Sequence, residues 1–238
     1  MTVRLFLDDA YLTTSAATVV QTGPGAVVLD RTPFYARSGG QPGDRGALTW
    51  DGHALLVTEA AKGDGDSIVH RVGDGALPPV GAVVEAAIDG ALRRRHMRMH
   101  TALHLLCAAL PGAAVTGGQI GADRSRLDFD LPEAPDREAL EARLNALAAG
   151  NHPVATEWVD ESVLDETPAL VRTLSVKPPR GSGRLRLVRI GGESPVDLQP
   201  CGGTHVRRTG EIGRLAILKI ENKGRQNRRL AIALADPE

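Results

Sequence analysis

Short runs in which apolar and polar residues alternate fill residues 1–90, and Gly, Pro and Asp separate them. The runs Val3 to Leu7, Ala26 to Leu29, Ala54 to Thr58, Ser67 to Arg71 and Val83 to Ile88 predict strands. No long helical period interrupts them, and many short strands with glycine-rich connections predict a small antiparallel β-barrel. The pattern then changes. From Leu92 to Leu110 the apolar positions Met99, Leu103, Leu106 and Leu110 follow a helical stripe, and Pro111-Gly112 ends it. A second helix is predicted from about Asp136 to Ala149, marked by Leu140, Leu144 and Leu147 and closed by Gly150. Strands are expected at Ala114 to Ile120, Arg126 to Asp130, Val154 to Val159, Leu185 to Ile190, Leu215 to Ile220 and Leu230 to Leu234. Runs of strands with two helices describe an α+β domain. The expected division is therefore a β-barrel over 1–90 and an α+β domain over 91–238, with the boundary near Asp89-Gly90.

Composition adds little beyond class. A chain of 238 residues, 42% hydrophobic and 24% charged, is in the range of ordinary globular proteins and long enough to need no covalent staple. Cys107 and Cys201 are its only cysteines, and Met1 to Ala10 shows no basic-then-apolar leader, so a reducing, cytoplasmic setting is expected. No apolar run approaches the roughly 18 residues of a membrane span.

Charge changes the picture once it is divided along the chain. Residues 1–90 hold 6 Lys or Arg against 11 Asp or Glu, a balance of −5, while residues 91–238 hold 22 against 18, a balance of +4. The basic residues of the second part cluster at Arg93, Arg94, Arg95 and Arg98, at Arg207 and Arg208, and at Lys223, Arg225, Arg228 and Arg229. Such clusters suit a phosphate-bearing partner held largely without sequence discrimination.

The candidate chemistry lies among these clusters. His100 and His104 are four residues apart within the first predicted helix, which places both imidazoles on one face with Cβ atoms about 5–6 Å apart. Cys201 and His205 repeat the four-residue spacing around Gly202 and Gly203, whose backbones can turn tightly enough to present both side chains to one point. Neutral imidazole nitrogens and a thiolate are ligands that zinc accepts in a tetrahedral shell.

These two strings, Arg98-Met99-His100-Thr101-Ala102-Leu103-His104-Leu105-Leu106 and Cys201-Gly202-Gly203-Thr204-His205, together resemble the editing domain shared by alanyl-tRNA synthetases and free-standing alanyl-tRNA editing proteins of the AlaX type. Thr32-Pro33-Phe34-Tyr35, Ser38-Gly39-Gly40-Gln41, Gly43-Asp44-Arg45-Gly46 and Thr209-Gly210-Glu211-Ile212-Gly213 extend the resemblance over nearly the whole chain. It implies a barrel followed by a zinc-containing domain of the kind found as a second additional domain in threonyl- and alanyl-tRNA synthetases. It also implies Zn2+ on His100, His104, Cys201 and His205, and hydrolysis in trans of tRNA for alanine mischarged with serine or glycine. No P-loop is present and no length remains for an aminoacylation core, so no ATP requirement is expected.

Serine differs from alanine by one hydroxyl. A pocket with a polar group for that hydroxyl rejects alanine by leaving the group unpaired. The resemblance points to Thr116 as this partner, to Gln119 as the glutamine of the family's editing motif, and to Gly39 and Gly40 as a pair linked to serine specificity. In Gln119-Ile120-Gly121-Ala122 the motif's final serine is replaced by Ala122. Arg98, Arg207, Arg208, Lys223, Arg225, Arg228 and Arg229 are the expected tRNA contacts. Four zinc ligands exceed the three that catalytic zinc usually keeps, so expansion of the shell, release of one ligand and a purely positioning ion stand as alternatives. A non-catalytic tRNA-binding module with structural zinc and a zinc hydrolase acting on an unrelated ester or amide are the other readings.

Overall fold

In the computed structural model, which describes residues 1–174, 181 and 183–235, the chain divides into Met1–Arg94 and Arg95–Glu238. The first unit contains strands β1 (Val3–Arg4), β2 (Thr14–Gly23), β3 (Ala26–Leu29), β4 (Arg31–Thr32), β5 (Gly46–Trp50), β6 (His53–Lys62), β7 (Ile68–Val72) and β8 (Val83–Ile88). Six of them close into a barrel in the order β2-β3-β7-β6-β5-β8, each pair antiparallel. Closure leaves no unpaired edge. Alternate residues fill the interior, among them Val19, Val27, Leu29, Leu48, Leu55, Val57, Ile68 and Val84. The expected barrel is present, but β2 and β5 were not among its predicted strands, and only the first residues of the Val3 to Leu7 run are extended. Leu5–Leu7 turns into a single 3-10 turn that buries Phe6.

A buried ion pair fastens the base of this unit. Arg93 Nε lies 3.0 Å from both carboxylate oxygens of Asp44, and the guanidinium also donates to the carbonyls of Ala10 and Pro33. Asp44 accepts the Tyr35 amide as well. Every polar atom thus has a partner, the condition under which a buried pair is tolerated.

Helix α1 (Gly90–Ala109) crosses the division. Asp89 caps it by accepting the Leu92 amide, and Gly112, at φ +82°, takes the chain out of it. The expected apolar stripe proves too narrow: every residue from His96 to Cys107 is buried. A helix enclosed on all sides must find partners for its polar residues, and this requirement builds the site described below.

The second unit contains two sheets. Strands β9 (Ala114–Gln119), β10 (Arg124–Asp130), β14 (Leu215–Gly224) and β15 (Asn227–Leu234) form one, in the order β14-β15-β10-β9. Strands β11 (Val154–Asp160), β12 (Arg184–Gly191) and β13 (Pro195–Pro200) form the other, in that order. Helix α2 (Arg137–Ala149) is capped by Asp136, which accepts the Ala139 amide. It is tied to β14 by Asn145, whose side chain bonds both the amide and the carbonyl of Leu215. Helix α3 (Val163–Glu166) is a single turn over the apolar residues Leu185 and Leu187.

Candidate metal centre

His100 and His104 reach one point from α1, while Cys201 and His205 reach it from the turn that follows β13. The ligand atoms of the four residues lie within 4.8 Å of one another. Cys201 Sγ is 3.5 Å from His100 Nε2 and 3.4 Å from His205 Nε2. With metal bonds of about 2.3 Å to sulfur and 2.1 Å to nitrogen, a tetrahedral shell requires an S–N edge of about 3.6 Å. Among the described residues this cluster is the one that satisfies such a donor set, and its chemistry fits zinc.

The imidazoles are held in the tautomers that ligation needs. His104 Nδ1–H donates to Asp197 Oδ2 at 2.8 Å, which leaves Nε2 with a lone pair. Gln199 Nε2 donates to both oxygens of Asp197 and fixes the carboxylate. At His205 the argument is one of elimination. Thr101 Oγ1 spends its only hydrogen on the Met97 carbonyl, so at 3.2 Å it accepts Nδ1–H from His205. His205 Nε2 is therefore the basic nitrogen, on the side facing Cys201. Partners behind the ligands orient them and set their basicity.

Electrostatics favour the deprotonated form at Cys201 and His205, while His104 keeps a proton that a bound metal would displace from Nε2. Burial would raise the Cys201 thiol, but the neighbouring His100 and His205 hold it well below its ordinary value, favouring thiolate. Burial and the adjoining His100 push His205 down to about 3. At His104 burial works against protonation, yet the hydrogen bonds to Asp197 and Cys201 outweigh it and raise the pKa to about 10. Cys107 has no share in this, since burial pushes its thiol up to about 12.

The turn holds its shape in an unexpected way. Gly202 and Gly203 do not adopt positive φ, so the conformational freedom expected of them is not used. Arg186 instead clamps the turn, donating to the carbonyls of Cys201 and Gly203 at 2.7 and 3.0 Å. The Gly203 amide also points at Cys201 Sγ, 3.4 Å away.

The other expected site residues are placed as follows. Thr116 lies on β9, and its Oγ1 is buried with no hydrogen-bond partner. Gln119, on the same strand, is exposed and accepts a long bond of 3.4 Å from Arg126. In the first unit Gly39 and Gly40 occupy a two-residue turn bridged by Ser38 and Gln41. Their φ values of +54° and +83° demand glycine, and Tyr35 Oη braces the turn through the Ser38 carbonyl.

The basic residues separate into three groups. Arg98 is buried and donates to the Ile212 carbonyl. Arg228 is buried and donates to the carbonyls of Gly224, Asn227 and Pro132. Both guanidinium groups are engaged by backbone carbonyls. Arg229 is held by Asp128 in a bidentate pair at 2.7 and 2.8 Å, whereas Arg207, Arg208, Lys223 and Arg225 are exposed. His96, one turn before His100, is buried and outside the cluster. Asp197, Gln199, Thr101 and Arg186 went unnoticed in the sequence. The alternation in Val196-Asp197-Leu198-Gln199 was the available signal, because it sets two polar residues on the face that Cys201 continues.

Known proteins resemble this chain over most of its length. The sequence profile of the threonyl and alanyl tRNA synthetase second additional domain matches residues 185–231, and that of class II (A) tRNA synthetases matches residues 3–92. The chain is 41% identical to the alanyl-tRNA editing protein AlaX-M of Methanosarcina mazei, over 99% of this chain and 98% of that protein. It is 40% identical to the AlaX-M of Methanosarcina acetivorans, over 99% and 100%. The alanine–tRNA ligase of Archaeoglobus fulgidus is 36% identical over 93% of this chain, which corresponds to 24% of the ligase. No helix among the described residues is long and apolar enough to cross a membrane.

Proposed function

Because this chain belongs to the AlaX-M alanyl-tRNA editing proteins, we propose that it deacylates mischarged tRNA for alanine in trans. Seryl-tRNA is the main substrate and glycyl-tRNA the second. Residues 91–238 form the editing domain, and the reaction proceeds in the cytoplasm without ATP. The observation that carries this reading is the four-ligand cluster of His100, His104, Cys201 and His205. Zinc held there supplies a positive centre against which the substrate's ester or amino group is oriented.

The chain's own residues supply selection. Thr116 presents a buried hydroxyl that nothing in the protein satisfies. An unsatisfied buried hydroxyl costs about 1–3 kcal/mol, and a serine side chain relieves that cost where alanine cannot. The Gly39-Gly40 turn and Gln119 contribute to substrate fit. Arg207, Arg208, Lys223 and Arg225 hold phosphates.

The closed set of four donors gives the second reading its footing, since structural zinc sites are four-coordinate and leave no open position. In that case the protein binds tRNA without cleaving it. Incubation of the zinc-loaded protein with seryl-, glycyl- and alanyl-tRNA for alanine separates the two. Release of serine and glycine with alanine spared is expected. Binding without release of any amino acid would establish the structural role, and equal release of all three would remove the sieve.

A further inference from the structure

The zinc-ligand turn and an exposed tryptophan belong to one row across the second sheet. Trp158 on β11 stands opposite Arg186 on β12. The Leu187–Pro200 register of β12 and β13, continued by the bond from the Cys201 amide to the Arg186 carbonyl, sets Arg186 opposite Cys201 in turn. Residues directly opposite one another in an antiparallel pair project to the same face. Trp158 therefore shares a face with Asp197, Gln199 and Cys201, the face turned toward the metal ligands. Adjacent strands lie about 4.8 Å apart, so Trp158 stands roughly 10 Å from Cys201 at the level of the backbone.

Its chemistry is unusual for the chain. It is one of two tryptophans, and unlike Trp50, which is 8% exposed within the barrel, it is 47% exposed. The Arg184 guanidinium lies over its ring, 5.6 Å from the centroid. An aromatic face left to solvent beside a cation is the usual means of holding an unstacked base next to its phosphate.

We propose that Trp158, with Arg184, is the stacking platform for the 3′-terminal adenine of the substrate tRNA. The inference rests on the reading of the cluster as an ester-hydrolysing site. In an aminoacyl-tRNA the terminal adenine is separated from the ester by a single ribose. A base stacked on Trp158 thus brings its ester toward the Cys201 turn, one short step along the same sheet face. Arg186, between the two, joins platform and ligand turn into one rigid piece, because its backbone pairs with Trp158 while its side chain grips the turn. The platform reads the shared end of all tRNAs and carries no amino-acid preference.

The test uses the full-length, zinc-loaded protein carrying Trp50→Phe, so that Trp158 is the sole tryptophan. A CCA trinucleotide should quench its fluorescence, and the same trinucleotide lacking the terminal base should not. In parallel, Trp158→Ala should lower kcat/KM on a seryl-tRNA minihelix by about 5- to 150-fold, the worth of one stacked base, at unchanged zinc content. Trp158→Phe should restore most of the loss. Equal response to both trinucleotides, or a Trp158→Ala protein within twofold of the parent, overturns the platform. Loss of zinc from Trp158→Ala overturns it as well, by showing a structural role. Quenching by CCA in a protein that hydrolyses none of the charged tRNAs would leave the platform standing and remove the editing reading.

Discussion

Asp197 Oδ2 accepts the Nδ1–H of His104 at 2.8 Å, with both residues buried. The carboxylate is thus one atom layer behind the metal ligand, and it holds the imidazole in the one tautomer that can ligate through Nε2. Asp197→Ala should weaken zinc binding by about 10- to 100-fold, measured by competition with a chromogenic chelator. Cys201→Ala should do more, abolishing stoichiometric zinc on elemental analysis, because it removes a ligand and its charge. An Asp197→Ala protein with unchanged zinc affinity would reduce the carboxylate to a packing element.

The cluster itself was legible because two four-residue spacings carry it, one on a helix and one on a turn. Its support was not, because Asp197 and Thr101 act through hydrogen bonds across about a hundred residues of sequence. The barrel followed from the density of turn residues, yet β2 escaped: Thr14–Gly23 is rich in Ala and Thr, and four of its first six residues are exposed or half-buried, so its alternation is faint. Charge patterning says least about burial. Arg98 and Arg228 sit in basic clusters, but each is drawn inward to satisfy carbonyl groups, a demand set by tertiary packing that no local pattern announces.

His70 lies inside the barrel, where Thr32 Oγ1 meets Nε2 at 2.7 Å and Nδ1 meets the Val27 carbonyl at 3.1 Å. Both ring nitrogens are engaged in the neutral form, and burial lowers the pKa from 6.5 to about 4 against the Val27 bond. Between these values the unfolded chain binds a proton that the folded one refuses. The contribution is therefore fully present above pH 6.5 and falls away toward pH 4, by up to about 3 kcal/mol. Urea unfolding followed through barrel signals should show this acid slope in the parent and a shallower one in His70→Gln. Parallel slopes would mean that His70 is protonated in the fold.

Lys223 and Arg225 project from the β14–β15 hairpin and are exposed, while Arg228 in the same hairpin is buried. Neutralising Lys223 or Arg225 to Gln should reduce the slope of log Kd for tRNA against log salt by about one each. Arg228→Gln should leave that slope unchanged and lower the melting temperature, since three carbonyl groups lose their donor. A salt slope indifferent to Lys223 and Arg225 would move the phosphate contacts to Arg207 and Arg208.

Thr116 provides the sharpest test of selection. Its Oγ1 is buried without a partner, so the protein already bears a cost that a serine hydroxyl can relieve. Thr116→Val keeps the shape and removes both the cost and the recognition. Hydrolysis of seryl-tRNA should fall by the worth of one hydrogen bond to a buried group, about 1–3 kcal/mol or roughly 5- to 150-fold in kcat/KM. Alanyl-tRNA should gain in relative terms, because an apolar wall no longer penalises the missing hydroxyl, and the serine-to-alanine ratio should narrow toward unity. Stability should rise slightly or hold, since an orphaned polar atom is gone from the interior. A ratio that survives Thr116→Val intact would transfer the discriminating role to Gln119 or the Gly39-Gly40 turn.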